Sequence, residues 1–405
     1  MARALGGSPV TTDDERRIAG VSRAELERRW SLVRNHMKEN RIDAIVAFSN
    51  DDHLGGATRW FTDQPVNYRQ AVIFHSREPM TVVDHGHMGT KRQLDDTDPL
   101  RPGVGELLFT AEFQSVQYTQ SYEAELVVEA LNRRRCHRIG LINVDGMPHA
   151  FVRTLQAGLV GMPETIDVTD AVDGFMVIKS AEEITLIRRA AEVQDEIFAR
   201  VLAEGRPGMR DFELSALAQY HGRLLGAETG ILLVGSAPQG TASPMRFYPL
   251  QGRTIRDGDV VCLLIENSGP GGFYTELIRH ICFGKVSAEF MDAFEKTRIA
   301  QTETIKNFRP GIACRDIYEA HSRHMTEQGL GVDRRIYAHG QGYNLVERPL
   351  VRFDEPMIVA AGMNMAIHPT IMTPNVFAAS CDNYLITASG AERLHRTEQK
   401  VFELS

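Results

Sequence analysis

Apolar and polar positions follow two regimes along the chain. Ser22 opens SRAELERRWSLVRNHMKENRID, where Leu26, Trp30, Leu32 and Val33 form an amphipathic stripe and Ser22 with Glu25 fits a capping box. A short apolar run, AIVAFS from Ala44 to Ser49, reads as a buried strand, and the pattern returns at Ala71, Thr81 and Arg138 around a helix-like ELVVEALNRRR. Alternating strands and helices predict a small α/β domain over 22–174, preceded by a polar arm over 1–21.

From residue 175 onward the pattern repeats itself. Ser180 and Glu183 make a capping box, apolar residues continue at helical spacing, and Arg206-Pro207-Gly208 stops the helix before a second one that ends at Gly226. Ser287, Arg309-Pro310-Gly311 and Gly329 repeat these landmarks, with the same interval from Arg-Pro-Gly to the closing glycine, and Glu213 corresponds to Asp316. Landmarks in register predict a duplicated α+β domain over 175–405, related internally by a pseudo-twofold and carrying its active site in the groove between the halves.

Composition narrows the function classes. The 405 residues carry a net charge of -8, which argues against general binding to nucleic acid, because phosphate neutralisation needs a basic surface. No apolar run reaches the ~20 residues that span a bilayer, and the start of the chain lacks the apolar stretch of a signal peptide. Cys136, Cys262, Cys282, Cys314 and Cys381 are scattered and without CxxC spacing, as expected of reduced thiols in a cytoplasmic protein.

Several segments together resemble one known family. They are MVIKSAEEITLIRRAAEVQD from Met176, DGD from Asp257, YTELIR from Tyr274, AHGQG from Ala338, GM from Gly362 and DNYLIT from Asp382. They are similar to the creatinase–prolidase–aminopeptidase P superfamily, and the likeness is specific after Asp173 and weak before it. It implies a creatinase-like N-terminal α/β domain followed by a catalytic domain of the pita-bread fold. Metallopeptidases of that family hold two metal ions with two aspartates, a histidine and two glutamates. In this chain the first aspartate position falls near Leu264 or Ile265 beside Glu266, and the others fall on Glu276, His339, His368 and Cys381. Both glutamates are gone, so the resemblance implies a branch other than the ordinary dinuclear peptidases, and standard peptide cleavage is the weakest expectation.

Glu266, Glu276, His339 and His368 are the catalytic candidates, since the resemblance maps all of them to the inner face of one curved sheet. One reading is metal-free acid–base or nucleophilic catalysis, as in the creatinase and ectoine hydrolase branches, with Glu266 as base or nucleophile and a histidine as acid. The other gives the same residues to a single iron, manganese or zinc ion, in a lyase resembling the dimethylsulfoniopropionate lyase branch or in a hydrolase. The bland alternatives are an ion pair of Glu266 with Arg279, a hydrogen-bonded core histidine at 368, and Cys381 as a small buried hydrophobe.

Arg246, in a polar loop, is a candidate clamp for a substrate carboxylate, and Tyr274 and Glu347 are further substrate-binding candidates. GPGGF from Gly269 reads as a hairpin, and His85 with His87 lack the further ligands a metal site needs. The resemblance also implies a homodimer in which Arg59 and Trp60 line the neighbouring subunit's site, against core packing for Trp60. The expectation is a cytoplasmic, homodimeric hydrolase of a C–N bond in a small polar metabolite, without a cofactor. One divalent ion, lyase chemistry or a non-catalytic binding role are the alternatives.

Overall fold

The computed structural model describes residues 19–49, 55–66, 68–95, 98–111, 121–333 and 335–404; most of the expected N-terminal arm lies outside them. The first domain is a mixed seven-stranded sheet. Its strands are β1 (Ala44–Ser49), β2 (Gln70–His75), β3 (Met80–His85), β4 (Lys91–Gln93), β5 (Val104–Thr110), β6 (Arg138–Leu141) and β7 (Glu164–Asp167), in the order β4-β5-β3-β2-β1-β6-β7. Its helices are α1 (Arg23–Asn40), α2 (Gly56–Thr62), α3 (Tyr122–Arg134), α4 (His149–Gly158) and α5 (Thr169–Met176). Alternate side chains of β1 go to opposite faces, Ile45 and Ala47 to the core shared with α1 and Ala44 and Val46 to the core under α3 and α4. Both faces are covered, so the central strands read as unbroken apolar runs.

The capping box expected at the start of α1 is half formed. The Ser22 hydroxyl accepts from the Glu25 amide at 3.2 Å, but the Glu25 carboxylate turns to Arg28 and Arg29, and the Ser22 amide donates to Glu182 of the next domain. Competition from charged partners across a domain contact displaced the local bond.

The second domain starts with α6 (Ala181–Glu204) and α7 (Asp211–Leu224), followed by β8 (Gly230–Pro238), β9 (Asp259–Ser268) and β10 (Tyr274–Phe283). Then come α8 (Ala288–Ile305), α9 (Cys314–Glu327), β11 (Ala338–Gly340), β12 (Glu347–Leu350), β13 (Asn364–Ile367), β14 (Thr370–Met372), β15 (Phe377–Ala379), β16 (Asp382–Thr387), β17 (Gly390–Arg393) and β18 (Val401–Leu404). The strands form a four-stranded sheet, β18-β10-β9-β8, and a five-stranded one, β12-β11-β13-β16-β17. GPGGF closes the hairpin between β9 and β10 as expected.

The duplication is present in the backbone. Ser180 and Ser287 each cap a helix with their hydroxyls. Gly208 and Gly311 both take positive φ, 92° and 94°, a conformation that favours glycine. Their amides donate to Ile255 and Val359 at 2.8 and 2.9 Å, so β9 and β13 begin from equivalent turns. Helices α6 and α7 cover the outer face of the first half-sheet, burying Ile197, Phe198, Val201 and Leu214 against Leu263, Ile265 and Leu277. Each such fully buried aliphatic or aromatic side chain contributes about 1.5–3 kcal/mol.

The half-sheets meet where Ile278 of β10 bridges Cys381, its amide donating to the Cys381 carbonyl at 3.3 Å. Arg279, fully buried, ties this seam. It contacts Asp382 at 2.6 Å and donates to the carbonyls of Cys381, Thr397 and Glu398. Arg279 therefore faces away from Glu266, and the ion pair between them considered from the sequence does not form.

The two domains share one core. Trp30, Trp60 and Phe61 cluster with Ile187, Phe273, Tyr343 and Leu385. Buried Arg29 bonds Glu25 and Glu183, each at 2.8 Å, and the Trp60 carbonyl at 3.0 Å. Among the described residues no helix is long and apolar enough to cross a membrane.

Removing Arg279 leaves Asp382 buried with Arg393, Gln399 and, at 3.7 Å, His395 to compensate. Arg279→Met should cost about 3 kcal/mol or more, read as a lower urea midpoint; a change within experimental error would contradict the role given to this pair. His75 supplies a pH dependence. Burial, with Arg134 and Arg133, pulls its pKa down to about 3, so it is neutral in the folded chain while an unfolded histidine takes up a proton near 6.5. Its contribution is complete above about pH 6.5 and lost as pH falls toward 3, amounting to about 2 kcal/mol at pH 5. The Thr81 hydroxyl donates to Glu106, so His75 Nε2 donates to Thr81 at 3.1 Å. His75→Gln keeps a donor and should flatten the fall in unfolding midpoint between pH 6.5 and 5; an unchanged slope would contradict this.

Candidate functional site

Strand pairing sets the site. Glu266 and Glu276 are direct cross-strand partners on β9 and β10, so their side chains share the inner face. His339 stands on β11 opposite Ala366, and His368 follows the end of β13. The four candidates are all buried, and three supply converging ligand atoms. Glu276 Oε2 lies 3.6 Å from His339 Nε2 and 3.9 Å from His368 Nε2, and the three atoms fall within 4.8 Å of one another. Glu266 stands beside this triad, next to Glu276 across the strand pair.

The chemistry of the triad fits a metal ion. The Gly340 carbonyl lies 2.9 Å from His339 Nδ1 and can only accept, so Nδ1 donates to it and Nε2 is the nitrogen turned toward Glu276. Burial holds His368 down at about 4, so it is a neutral imidazole at physiological pH, the form that binds metal. Burial works against ionisation of Glu276, but the two imidazoles outweigh it and keep the carboxylate charged. Metal–ligand bonds of ~2.1 Å set neighbouring ligand atoms roughly 3–3.5 Å apart, so closure around an ion needs shifts of under about 1 Å. Two imidazoles and one carboxylate suit iron, manganese or zinc with open positions left over. The expectation of no cofactor gains no support from this arrangement; the single-ion alternative fits it.

Burial and the adjacent Glu276 push Glu266 well above the usual carboxylate range. Beneath it lies a buried set of amides that the sequence analysis missed. Gln341 Nε2 donates to Glu266 Oε1 at 2.8 Å, and Gln341 Oε1 accepts from Asn383 Nδ2 at 2.8 Å. Asn383 Nδ2 also donates to Asn364 at 3.1 Å, and its oxygen accepts the Glu276 amide at 2.6 Å. Asn383 thus decides which end of Gln341 faces Glu266. The signal was available: Asn364 and Asn383 are uncharged polar residues on buried strands.

Burial and the neighbouring Glu276 raise the Cys381 thiol, so it is neutral and no nucleophile. It nevertheless touches the triad, which the reading as a plain hydrophobe omitted. Of the two positions named for the first aspartate, Leu264 faces inward and Ile265 joins the helix-side core.

The substrate-binding candidates scatter. Arg246 is an isolated bridge partner of Val234, and Val234 belongs to the helix-side core. Bridge partners point to the same face, so Arg246 turns away from the groove while neighbouring Met245 packs on the inner cluster. Glu347 is taken by Lys179 at 2.7 Å and by the Asn344 amide at 3.1 Å. Trp60 is in the interdomain core, and Arg59 bonds Glu228 at 2.6 Å across the two domains of its own chain. Tyr274 is buried at the start of β10, on the same face as Glu276. His85 pairs with Glu123 at 3.2 Å, and His87 lies beyond the strand, exposed.

Two half-sheets backed by paired helices, with a Glu–His cluster in the groove between them, define a pita-bread enzyme domain. The chain belongs to metallopeptidase family M24, whose profile matches residues 185–388. It is 26% identical to a Xaa-Pro dipeptidase of Pyrococcus horikoshii over 268 residues, covering 63% of this chain and 72% of that one. It is 23% identical to a creatinase of a Bacillus species, covering 87% of this chain and 85% of the relative. Its fold matches a prolidase from Thermococcus sibiricus with a TM-score of 0.77 at 16% identity, over 95% of this chain and 100% of that structure.

Asn383→Leu removes two donors and the acceptor of the Glu276 amide at one point. It should cost about 2 kcal/mol or more by the price of unsatisfied buried polar groups, measured by denaturant unfolding; a neutral effect would mean the amides are solvated rather than mutually bound.

Proposed function

We propose that the protein is a hydrolase that cleaves a C–N bond of a small molecule through one divalent ion held by Glu276, His339 and His368. The observation that carries this is the convergence of one carboxylate oxygen and two imidazole nitrogens in a buried groove. Such an ion supplies Lewis acidity and a water of lowered pKa. Glu266, anchored by Gln341 and adjacent to Glu276, carries a proton between water and the departing nitrogen in this reading. The names of the relatives support C–N chemistry: a dipeptidase and a creatinase both act on bonds of that kind. The dipeptidases return peptide bonds to the candidate substrates, which the sequence alone had placed last, and no comparable support exists for C–S elimination. The rewritten ligands favour a single ion over the pair. The proposal extends to a cytoplasmic protein, in keeping with its free cysteines. It also extends to a homodimer whose N-terminal domain covers the neighbouring site, with residues other than Arg59 and Trp60 doing the covering.

The test is metal analysis of protein purified without added metal, with turnover of Xaa-Pro dipeptides and creatine followed before and after chelation. One ion per chain is expected, lost together with turnover on chelation and in His339→Ala. Two ions per chain would overturn the single-ion site. Turnover that survives chelation would restore metal-free catalysis, and a retained partner protein with no turnover would favour the binding role.

A further inference from the structure

Two buried carboxylates stand side by side in the groove and end in different company. Glu266 and Glu276 are direct cross-strand partners, with Cβ atoms ~5 Å apart. The ligand atoms that converge belong to Glu276, His339 and His368, and Glu266 is not among them. Carboxylate oxygens suit divalent ions, and each added charged ligand raises affinity. A carboxylate so close to the triad therefore needs a restraint to stay outside it.

The buried amides supply that restraint, and backbone groups at both ends fix their direction. The Glu276 amide can only donate, so Asn383 meets it with its side-chain oxygen, at 2.6 Å. Asn383 Nδ2 then donates to Gln341 Oε1 and Asn364 Oδ1, at 2.8 and 3.1 Å. With its oxygen taken, Gln341 turns Nε2 the other way. There the Leu345 carbonyl, which can only accept, receives one hydrogen at 3.0 Å. The other goes to Glu266 Oε1 at 2.8 Å. Asn364 locks the Gln341 backbone, accepting its amide at 3.0 Å and donating to its carbonyl at 3.2 Å. Gln341, Asn364 and Asn383 are each 1% exposed or less. A flipped Gln341 would set oxygen against the Leu345 oxygen and nitrogen against the Asn383 nitrogen, two unsatisfied contacts beyond the reach of water.

We infer that Gln341, oriented by Asn383, is a positioning residue that keeps Glu266 out of the ion's ligand set and leaves its second oxygen available to carry a proton. The inference rests on the proposed metal site. Two adjacent carboxylates take different work, ligand for Glu276 and proton carrier for Glu266, because of what stands behind each. A methionine at 341 would leave Glu266 untethered, and a glutamate there would set acceptor against acceptor.

Cobalt(II) titration of chelator-stripped protein, followed in the visible spectrum, tests this through a cycle of variants. Gln341→Met keeps the side-chain length and removes the tether. It should bind cobalt about tenfold or more tightly than wild type, with an altered visible band, as Glu266 enters as an added charged ligand. A residue that merely supports the ligands acts in the opposite direction, since its loss weakens binding about 10–100-fold. Glu266→Gln should bind within about threefold of wild type, and adding Gln341→Met to it should bring no gain. Equal or weaker binding by Gln341→Met, or a gain that persists without Glu266, would overturn the role of Gln341 and leave the metal site standing. Cobalt bound by Gln341→Met but not by wild type would support that role and defeat the single-ion reading; no binding by any of the four proteins would defeat both. Should Gln341→Met not fold, Gln341→Glu keeps the acceptor that Asn383 needs, and its gain must likewise vanish with Glu266→Gln.

Discussion

The contact between Arg279 and Asp382 is the constraint on which the site depends. Two half-sheets, each backed by its own helices, are bridged at Ile278 and Cys381. A guanidinium at that seam satisfies carbonyls from both sides and a carboxylate besides. It sits three residues from Glu276, and its partner sits beside Cys381 and Asn383. Burial of such a pair does not by itself make a fold more stable, but it accepts only one arrangement of the groups around it. The relative placement of Glu276 on one half and His339 and His368 on the other is therefore set by a polar contact on the opposite face of the same strands.

The duplication explains how the ligand set changed while the fold did not. The repeated features, the serine caps, the Arg-Pro-Gly stops and the paired turns at Gly208 and Gly311, all lie at helix ends or on the outer layers. Inner-face residues make no contribution to those features. Strand alternation separates Leu263 and Ile265, which hold the helices, from Leu264 and Glu266, which face the groove. The inner row can change from carboxylate to imidazole, thiol or alkyl without disturbing the outer one.

That separation also marks what was legible in the sequence. Caps, stops and periodicity are local, so the two domains' elements and the repeat could be read from residue order. Glu266, Glu276, His339 and His368 were readable as candidates because the family resemblance maps them to the inner face of one curved sheet. Arg246 was misplaced because its facing depends on a bridge to Val234, and register between distant segments leaves no mark on a short loop. Arg59, Trp60 and Glu347 drew attention as polar or aromatic residues in motifs, yet their partners, Glu228, the interdomain core and Lys179, are far away in sequence. The amides at 341, 364 and 383 were overlooked because uncharged polar residues carry no obvious chemistry until their mutual hydrogen bonds are seen.

Charge balance bears on the number of ions the groove can hold. The five-ligand set expected from the family brings four carboxylates to two divalent ions, which nearly neutralises them. Here Glu276 is the one carboxylate in the triad, Glu266 is held toward its neutral form, and Cys381 keeps its proton. Two divalent ions would leave several uncompensated charges among buried strands, and an unpaired buried charge costs several kcal/mol even after relaxation. One ion leaves an excess of about a single charge, which a hydroxide or an ionised Glu266 removes.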